Sequence, residues 1–285
     1  MNKSAAKTLA LTVLAILAFA GNSLLTRRAL TGADIGANQF LAIRLISGAL
    51  MLTLLGYRRQ AILPRTADLP GIVSLFVYAA AFTFAYNSLG AVTGALILFP
   101  TVQLALVLIA TLRGVPPSRP QRLGLAIAVV GLLVLLGPHG SAPPLMGAFL
   151  MVVAGMGWGT YTFLGRTAID PLARTARNFI GAAALGAVMM LASHPSQATR
   201  TGIMLAIASG AVTSALGYVV WYAALPRLSV ATAGAAQLLV PVITSAAGIW
   251  WLGEAPSLEL FVAILLIVCG IGLTYASPKP SKAQA

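Results

Sequence analysis

The sequence predicts an all-α integral membrane protein. Ten transmembrane helices form two inverted five-helix repeats around a central cavity, with both termini cytoplasmic. Three observations predict this. First, the chain is 59% hydrophobic and 8% charged, with a mean hydropathy of +0.93, whereas a soluble domain carries roughly 25% charged residues. Such a chain cannot cover its own surface with polar groups, so lipid is its main solvent. Second, it divides into ten apolar stretches close to spanning length. Third, its halves correspond. Pro100 in LILFPTVQ is matched by Pro241 in QLLVPVIT, 141 residues later. Phe19 and Arg27 correspond to Trp158 and Arg166, Arg44-x-x-x-Gly48 to Arg177-x-x-x-Gly181, and Gly131 to Gly272. A period of half the chain is a duplication rather than a solenoid. With an odd number of spans per half, the copies have opposite orientation.

The first stretch, 8–28, follows Lys3 and Lys7 and contains Ala18-Phe19-Ala20, which imitates a secretory signal with a small-x-small cleavage site. Its repeat partner is the sixth stretch, so it is read as a retained span. The second, third and fourth stretches are 37–56, 69–88 and 92–112. The fifth, 122–137, is short but clearly bounded by Arg122 and by Gly137-Pro138-His139-Gly140. The GPHGSA run before a Pro-Pro pair is the best boundary between halves. The first repeat is therefore 1–140 and the second 141–276. The second repeat holds stretches 144–165, 175–192, 200–223, 229–251 and 258–276, and a polar tail, 277–285, is expected to be disordered. Each stretch is uniformly apolar, which indicates helices, because membrane strands alternate every second residue. Small residues such as Gly90-x-x-x-Gly94 and the Gly155–Gly159 run GMGWG serve close helix packing.

Alternating the stretches from an inside N-terminus puts 14 of the 18 basic residues inside and 4 (Arg27, Arg28, Arg44 and Arg200) outside. That satisfies the positive-inside rule. It also accounts for the net charge of +13 without a nucleic-acid partner. The lone Cys269 allows no intrachain disulfide and is read as a small buried apolar residue. With two histidines there is no Cys/His metal spacing. HExxH, GxSxG and phosphate-loop signatures are missing. The chain is thus not read as an enzyme, and no cofactor or ATP drive is expected.

The ionisable residues narrow the mechanism. Asp34, Asp68, Asp170, Glu254 and Glu259 all lie near span ends, whereas proton and sodium relays use intramembrane carboxylates. A uniporter or exchanger is therefore favoured. Arg44 and Arg177, repeat partners a few residues into their spans, either snorkel to opposite interfaces or tie down helix ends as gates. Pro100 and Pro241 each remove one helical hydrogen bond and free a carbonyl, that of Leu96 or Gln237. Paired breaks mark either a hinge or the substrate path. Tyr78, Phe82 and Tyr86 share one helix face, and Phe99 and Gln103 flank Pro100. Trp158 and Tyr161, Ser214 and Tyr218, and Gln237 lie within the sixth, eighth and ninth stretches. An aromatic cavity with scattered hydroxyls and amides suits an organic solute. The candidate substrate-binding set is Tyr78, Phe82, Phe99, Gln103, Trp158, Tyr161, Ser214, Tyr218 and Gln237. Freed carbonyls, hydroxyls and amides are expected to hold the charged ends of a zwitterion.

FAGNSLLTRRAL (19–30) echoed by WGTYTFLGRTA (158–168), then RLISG (44–48), ILFPTVQLAL (97–106), LLVPVITSAAGIWWLGE (238–254) and a closing glycine-rich span resemble the drug/metabolite transporter superfamily. The resemblance is to the ten-span type built from two EamA-like halves, over about 8–276. The aromatic amino-acid exporter branch of bacterial inner membranes is the most similar, although Phe99 stands where those exporters carry a Trp. The resemblance implies a ten-helix basket that exports amino acids, neutral or aromatic, and related metabolites by alternating access. The implied partners are the solute and the lipid bilayer, and a monomer is the expected assembly. Other transported solutes remain open. Cationic drugs would call for a membrane carboxylate. A membrane enzyme on a lipid-linked substrate would need a constellation around His139 or His194, which the sequence does not offer.

Overall fold

The computed structural model describes residues 3–56, 63–137, 143–165, 169–194, 197–228 and 236–275. The boundary at 138–142 with His139, the basic residues Arg58, Arg59, Arg166, Lys279 and Lys282, and the tail 277–285 lie outside the described residues. Helices occur in all ten predicted stretches, and no strand occurs among the described residues. They are α1 (Lys3–Thr31), α2 (Ala37–Gly56), α3 (Leu69–Ala85), α4 (Ala91–Leu112), α5 (Arg119–Leu136), α6 (Leu145–Gly165), α7 (Pro171–Leu191), α8 (Arg200–Ile207), α9 (Gly217–Ala224), α10 (Leu239–Leu252) and α11 (Leu258–Tyr275). A π-helical segment, Ala208–Leu216, joins α8 to α9, so the eighth stretch is one continuous run. Among the described residues, seven helical runs are long and apolar enough to cross a membrane. Two further helices, α10 and α11, are apolar but shorter.

The helix starts follow from local chemistry. Pro70, Pro120 and Pro171 stand in the first turns of α3, α5 and α7, where a missing N–H costs nothing. Ser118 and Gln121 form a reciprocal capping box on α5. Asp170 and Thr199 accept from Ala173 N–H and Gly202 N–H to cap α7 and α8. Gly253, at φ 68°, closes α10 in the left-handed conformation.

Packing runs mainly between the halves. α5 packs on α11, α2 on α7, and α4 on α10. α3 packs on α6 and α7, while the α8–π–α9 run packs on α1 and α2. α4 packs on α6, and α10 on α1. α5 and α11 approach closely through glycine, where a Cβ on Gly270 would meet Gly124 O at 2.6 Å. Many large apolar side chains point outward, among them Leu54, Leu133, Phe149 and Trp250, as expected where lipid is the solvent. Cys269 is also exposed, contrary to the buried position expected for it: it lies on the outer face of α11.

Polar contacts gather at the two ends of the bundle. At one end Arg28 pairs with Asp34 at 2.8 Å, and Thr199 donates to the same carboxylate at 3.0 Å. There Arg27 Nη1 also donates to Tyr86 O at 2.9 Å, and Glu254 accepts from the N–H groups of Ala91 and Val92 at the start of α4. The last contact satisfies orphan donors at a helix N-terminus, where negative charge is favoured. At the other end Arg177 grips Asp68, with Nε to Oδ2 at 2.7 Å and Nη2 to Oδ1 at 3.3 Å. Close to that end Arg113 lies over the Phe163 ring at 4.5 Å.

Candidate solute-binding site

The helix spacing of Tyr78, Phe82 and Tyr86 puts all three on one buried face of α3. The Tyr78 and Phe82 ring centroids are 5.4 Å apart, and Phe82 meets Tyr86 edge-on at 4.8 Å. Trp158 on α6 lies 5.0 Å from Tyr78 and 4.9 Å from Tyr218 of α9, and stacks on Tyr161 at 5.6 Å. Phe19 of α1 closes the group against Trp158, Tyr218 and Trp221. Each such pair contributes roughly 0.5–1.5 kcal/mol beyond its buried area. At the centre is a cavity of about 20 Å³ lined by Phe19, Asn22, Ser23, Tyr78, Phe82, Leu98, Phe99, Trp158 and Tyr218. That is room for about one water molecule.

A polar cluster borders the rings. Asn22 Nδ2 donates to Tyr78 Oη at 3.2 Å, and Asn22 Oδ1 accepts from Ser209 at 2.8 Å and Thr213 at 3.4 Å. Both hydroxyls belong to the π-helical segment. A π segment shifts the register of side chains that follow it, and such segments recur at functional sites. Here it brings Ser209, Thr213 and Ser214 toward α1 and α2.

Arg44 corrects a sequence expectation. It is 1% exposed and lies within α2 rather than at its end, so it neither snorkels nor ties down a helix end. Its guanidinium lies over the rings of Phe82 at 5.0 Å and Tyr78 at 5.5 Å. Nε donates to Ser214 Oγ and Nη2 to Tyr78 Oη, both at 3.4 Å. Its repeat partner Arg177 does hold a helix end, through Asp68. The difference is legible at the helix starts. Asp68 is the N-cap residue of α3, and the third helix of the second half is capped by Thr199. Arg177 finds a carboxylate where Arg44's counterpart position offers a hydroxyl. The charged end of a solute is therefore not limited to carbonyls, hydroxyls and amides.

Of the other expected residues, Tyr78, Phe82, Phe99, Trp158 and Tyr218 line one cavity, and Tyr161 and Ser214 adjoin it through Trp158 and Arg44. Gln103 is buried but does not line the cavity, lying one turn beyond Phe99 on α4. Gln237 is half-buried and also lies away from it, ahead of an interruption at Leu238. The two prolines differ. Pro241 stands in the first turn after that interruption, whereas α4 runs unbroken through Pro100. Beside Pro100 the Thr101 hydroxyl donates to Ile97 O at 2.8 Å, one residue on from the Leu96 carbonyl that the proline frees. Phe19 and Asn22 were missed as site residues, yet the repeat carried the signal: they align with Trp158 and Tyr161.

A bundle of long apolar helices enclosing an aromatic and polar chamber is the arrangement of a solute carrier. Residues 145–276 match the EamA-like transporter family. An uncharacterized protein of Pseudomonas aeruginosa is 49% identical over 272 residues, 95% of each chain. The chain belongs to the EamA-like transporter family, whose members are transporters rather than enzymes. A probable terminal-alkyne amino-acid exporter of Streptantibioticus cattleyicolor is 29% identical over 237 residues, 77% of this chain and 76% of the relative. An uncharacterized transporter of Clostridium kluyveri is 24% identical over 165 residues, 54% of this chain and 53% of the relative. A solved crystal structure at 20% identity superposes with a TM-score of 0.69, covering 93% of this chain and 98% of that one. That likeness establishes the shared fold.

Proposed function

We propose that this chain is a ten-span secondary transporter of a bacterial inner membrane that exports amino acids, neutral or aromatic, and related small metabolites by alternating access. The observation that carries the reading is the ring-lined chamber between α1, α3, α4, α6 and α9. Hydrogen bonds tie the helices together at each end of the bundle, through Arg27, Tyr86 and Glu254 at one and Asp68 and Arg177 at the other. A chamber of about 20 Å³ cannot hold a solute whose pocket needs about 300 Å³ or more, so the helices must part to admit one. The packing supports the inverted repeat. Exchanging each helix of one half for its counterpart in the other turns every principal pairing between the halves into itself or into another that is present. The C-terminal ends of α1 and α6, repeat partners, lie at opposite ends of the bundle, as an inverted repeat requires. The amino-acid assignment draws on the named exporter among the relatives.

Purified protein in liposomes tests the reading. Saturable uptake of labelled phenylalanine or leucine without an imposed gradient, competed by other neutral amino acids, is the expected outcome. No uptake of any amino acid in a broad panel would remove the amino-acid assignment and leave a transporter of another organic solute.

A further inference from the structure

We infer that Arg44 is the anchor for a solute carboxylate at the central chamber; this names the substrate class of the proposed transport site and rests on that reading. Arg44 is 1% exposed, and its Nη1 has no hydrogen-bond partner. Its two contacts to Ser214 and Tyr78 are long, at 3.4 Å each. No Asp or Glu among the described residues lies within ion-pair reach of it. Asp34 is held by Arg28 and Thr199, Asp68 by Arg177, Asp170 by Ala173 N–H, and Glu254 by the start of α4, and Glu259 stands in the first turn of α11. An uncompensated buried charge is costly, and an ionisable group within a membrane bundle marks function by default.

The surroundings fit an anion. Stacking on Phe82 and Tyr78 holds the guanidinium plane by cation–π attraction without using its N–H groups. The fork that remains matches a carboxylate in bidentate geometry, which an ammonium donor could not reproduce. Both stacking rings also line the chamber. A carboxylate on Arg44 would therefore leave the rest of an organic solute among Trp158, Phe19 and Tyr218. The site thus takes organic acids and zwitterions, and the buried positive charge turns away solutes whose only charge is positive.

The first test changes the solute, so that folding is not in question. Binding of phenylalanine, 3-phenylpropionate and phenethylamine to the wild-type protein is compared by thermal stabilisation and by competition for uptake. The expected result is that 3-phenylpropionate binds within about tenfold of phenylalanine, while phenethylamine binds at least about tenfold more weakly than either, since a hydrogen bond to a charged group is commonly a tenfold effect or more. Equal binding of phenethylamine would overturn the anchor. The second test is Arg44→Gln, with Arg44→Lys beside it. Arg44→Gln should lose most of its affinity for 3-phenylpropionate, and Arg44→Lys should retain part of it. Unchanged carboxylate affinity in a folded Arg44→Gln protein would overturn the inference while leaving amino-acid transport intact. Arg44-dependent binding of 3-phenylpropionate with no amino-acid uptake at all would support the anchor and sink the transport assignment instead.

Discussion

The residue scale is where burial and charge meet most sharply. Arg44 and Gly210 illustrate it together. A Cβ on Gly210, in the π segment, would run into the Arg44 carbonyl and the Ser47 hydroxyl. Small residues are required where helix backbones approach this closely in lipid. Gly210→Ala should therefore destabilise the protein by about 1–3 kcal/mol, the usual cost of overpacking. Its melting temperature in detergent should fall, and an unchanged value would mean that α2 and the π segment separate freely. Asp68 and Arg177 form a bidentate pair with side chains only 5% and 14% exposed. Asp68→Asn strands the guanidinium and should cost on the order of 3 kcal/mol. Removing both charges with Asp68→Asn and Arg177→Gln should cost less than the two single losses added, because the residues share one interaction. Additive losses in melting experiments would show that the pair contributes nothing beyond its separate parts.

At the scale of elements, the two prolines separate. Both were legible as repeat partners, yet α4 continues through Pro100 while α10 begins only two residues before Pro241. Transport should therefore be more sensitive to Pro241→Ala than to Pro100→Ala, with both proteins inserting normally. Uptake rates normalised to membrane content measure this, and equal rates for both variants and the wild type would remove any role in transport for the interruption at Leu238. The eighth stretch makes a similar point. Its apolar run predicted one helix, but the π turn between Ala208 and Leu216 aims three hydroxyls at Asn22 and Arg44. The π turn packs on α1 and α2.

At the scale of the whole molecule, the proposed alternation of ten spans predicts which loops share a side. Arg27, Tyr86, Thr199 and Glu254 belong to loops or helix ends that meet at one end, and the positive-inside count assigns that end to the exterior. With Cys269 replaced by Ala, a membrane-impermeant maleimide should label His194→Cys in intact cells and Val115→Cys only after permeabilisation. The reverse pattern would invert the orientation, and labelling of both from outside would break the alternation of spans. The symmetric packing of α3 on α6 and of the α8–π–α9 run on α1 also means that each half completes its core on the other. Neither repeat is expected to stand alone.

The sequence by itself determined that the chain is apolar, helical and suited to lipid, and it contained most of the aromatic lining of the cavity. These follow from composition, length and spacing, which the bilayer reads residue by residue. It also contained Phe19 and Asn22, as partners of residues already singled out. The tertiary structure alone decided which of two equivalent arginines is paired and which is buried. That outcome depends on the residue that caps a helix distant in sequence: Asp68 before α3 and Thr199 before α8. A charge's partner is set by packing across the fold, and the one-dimensional pattern around Arg44 and Arg177 is the same.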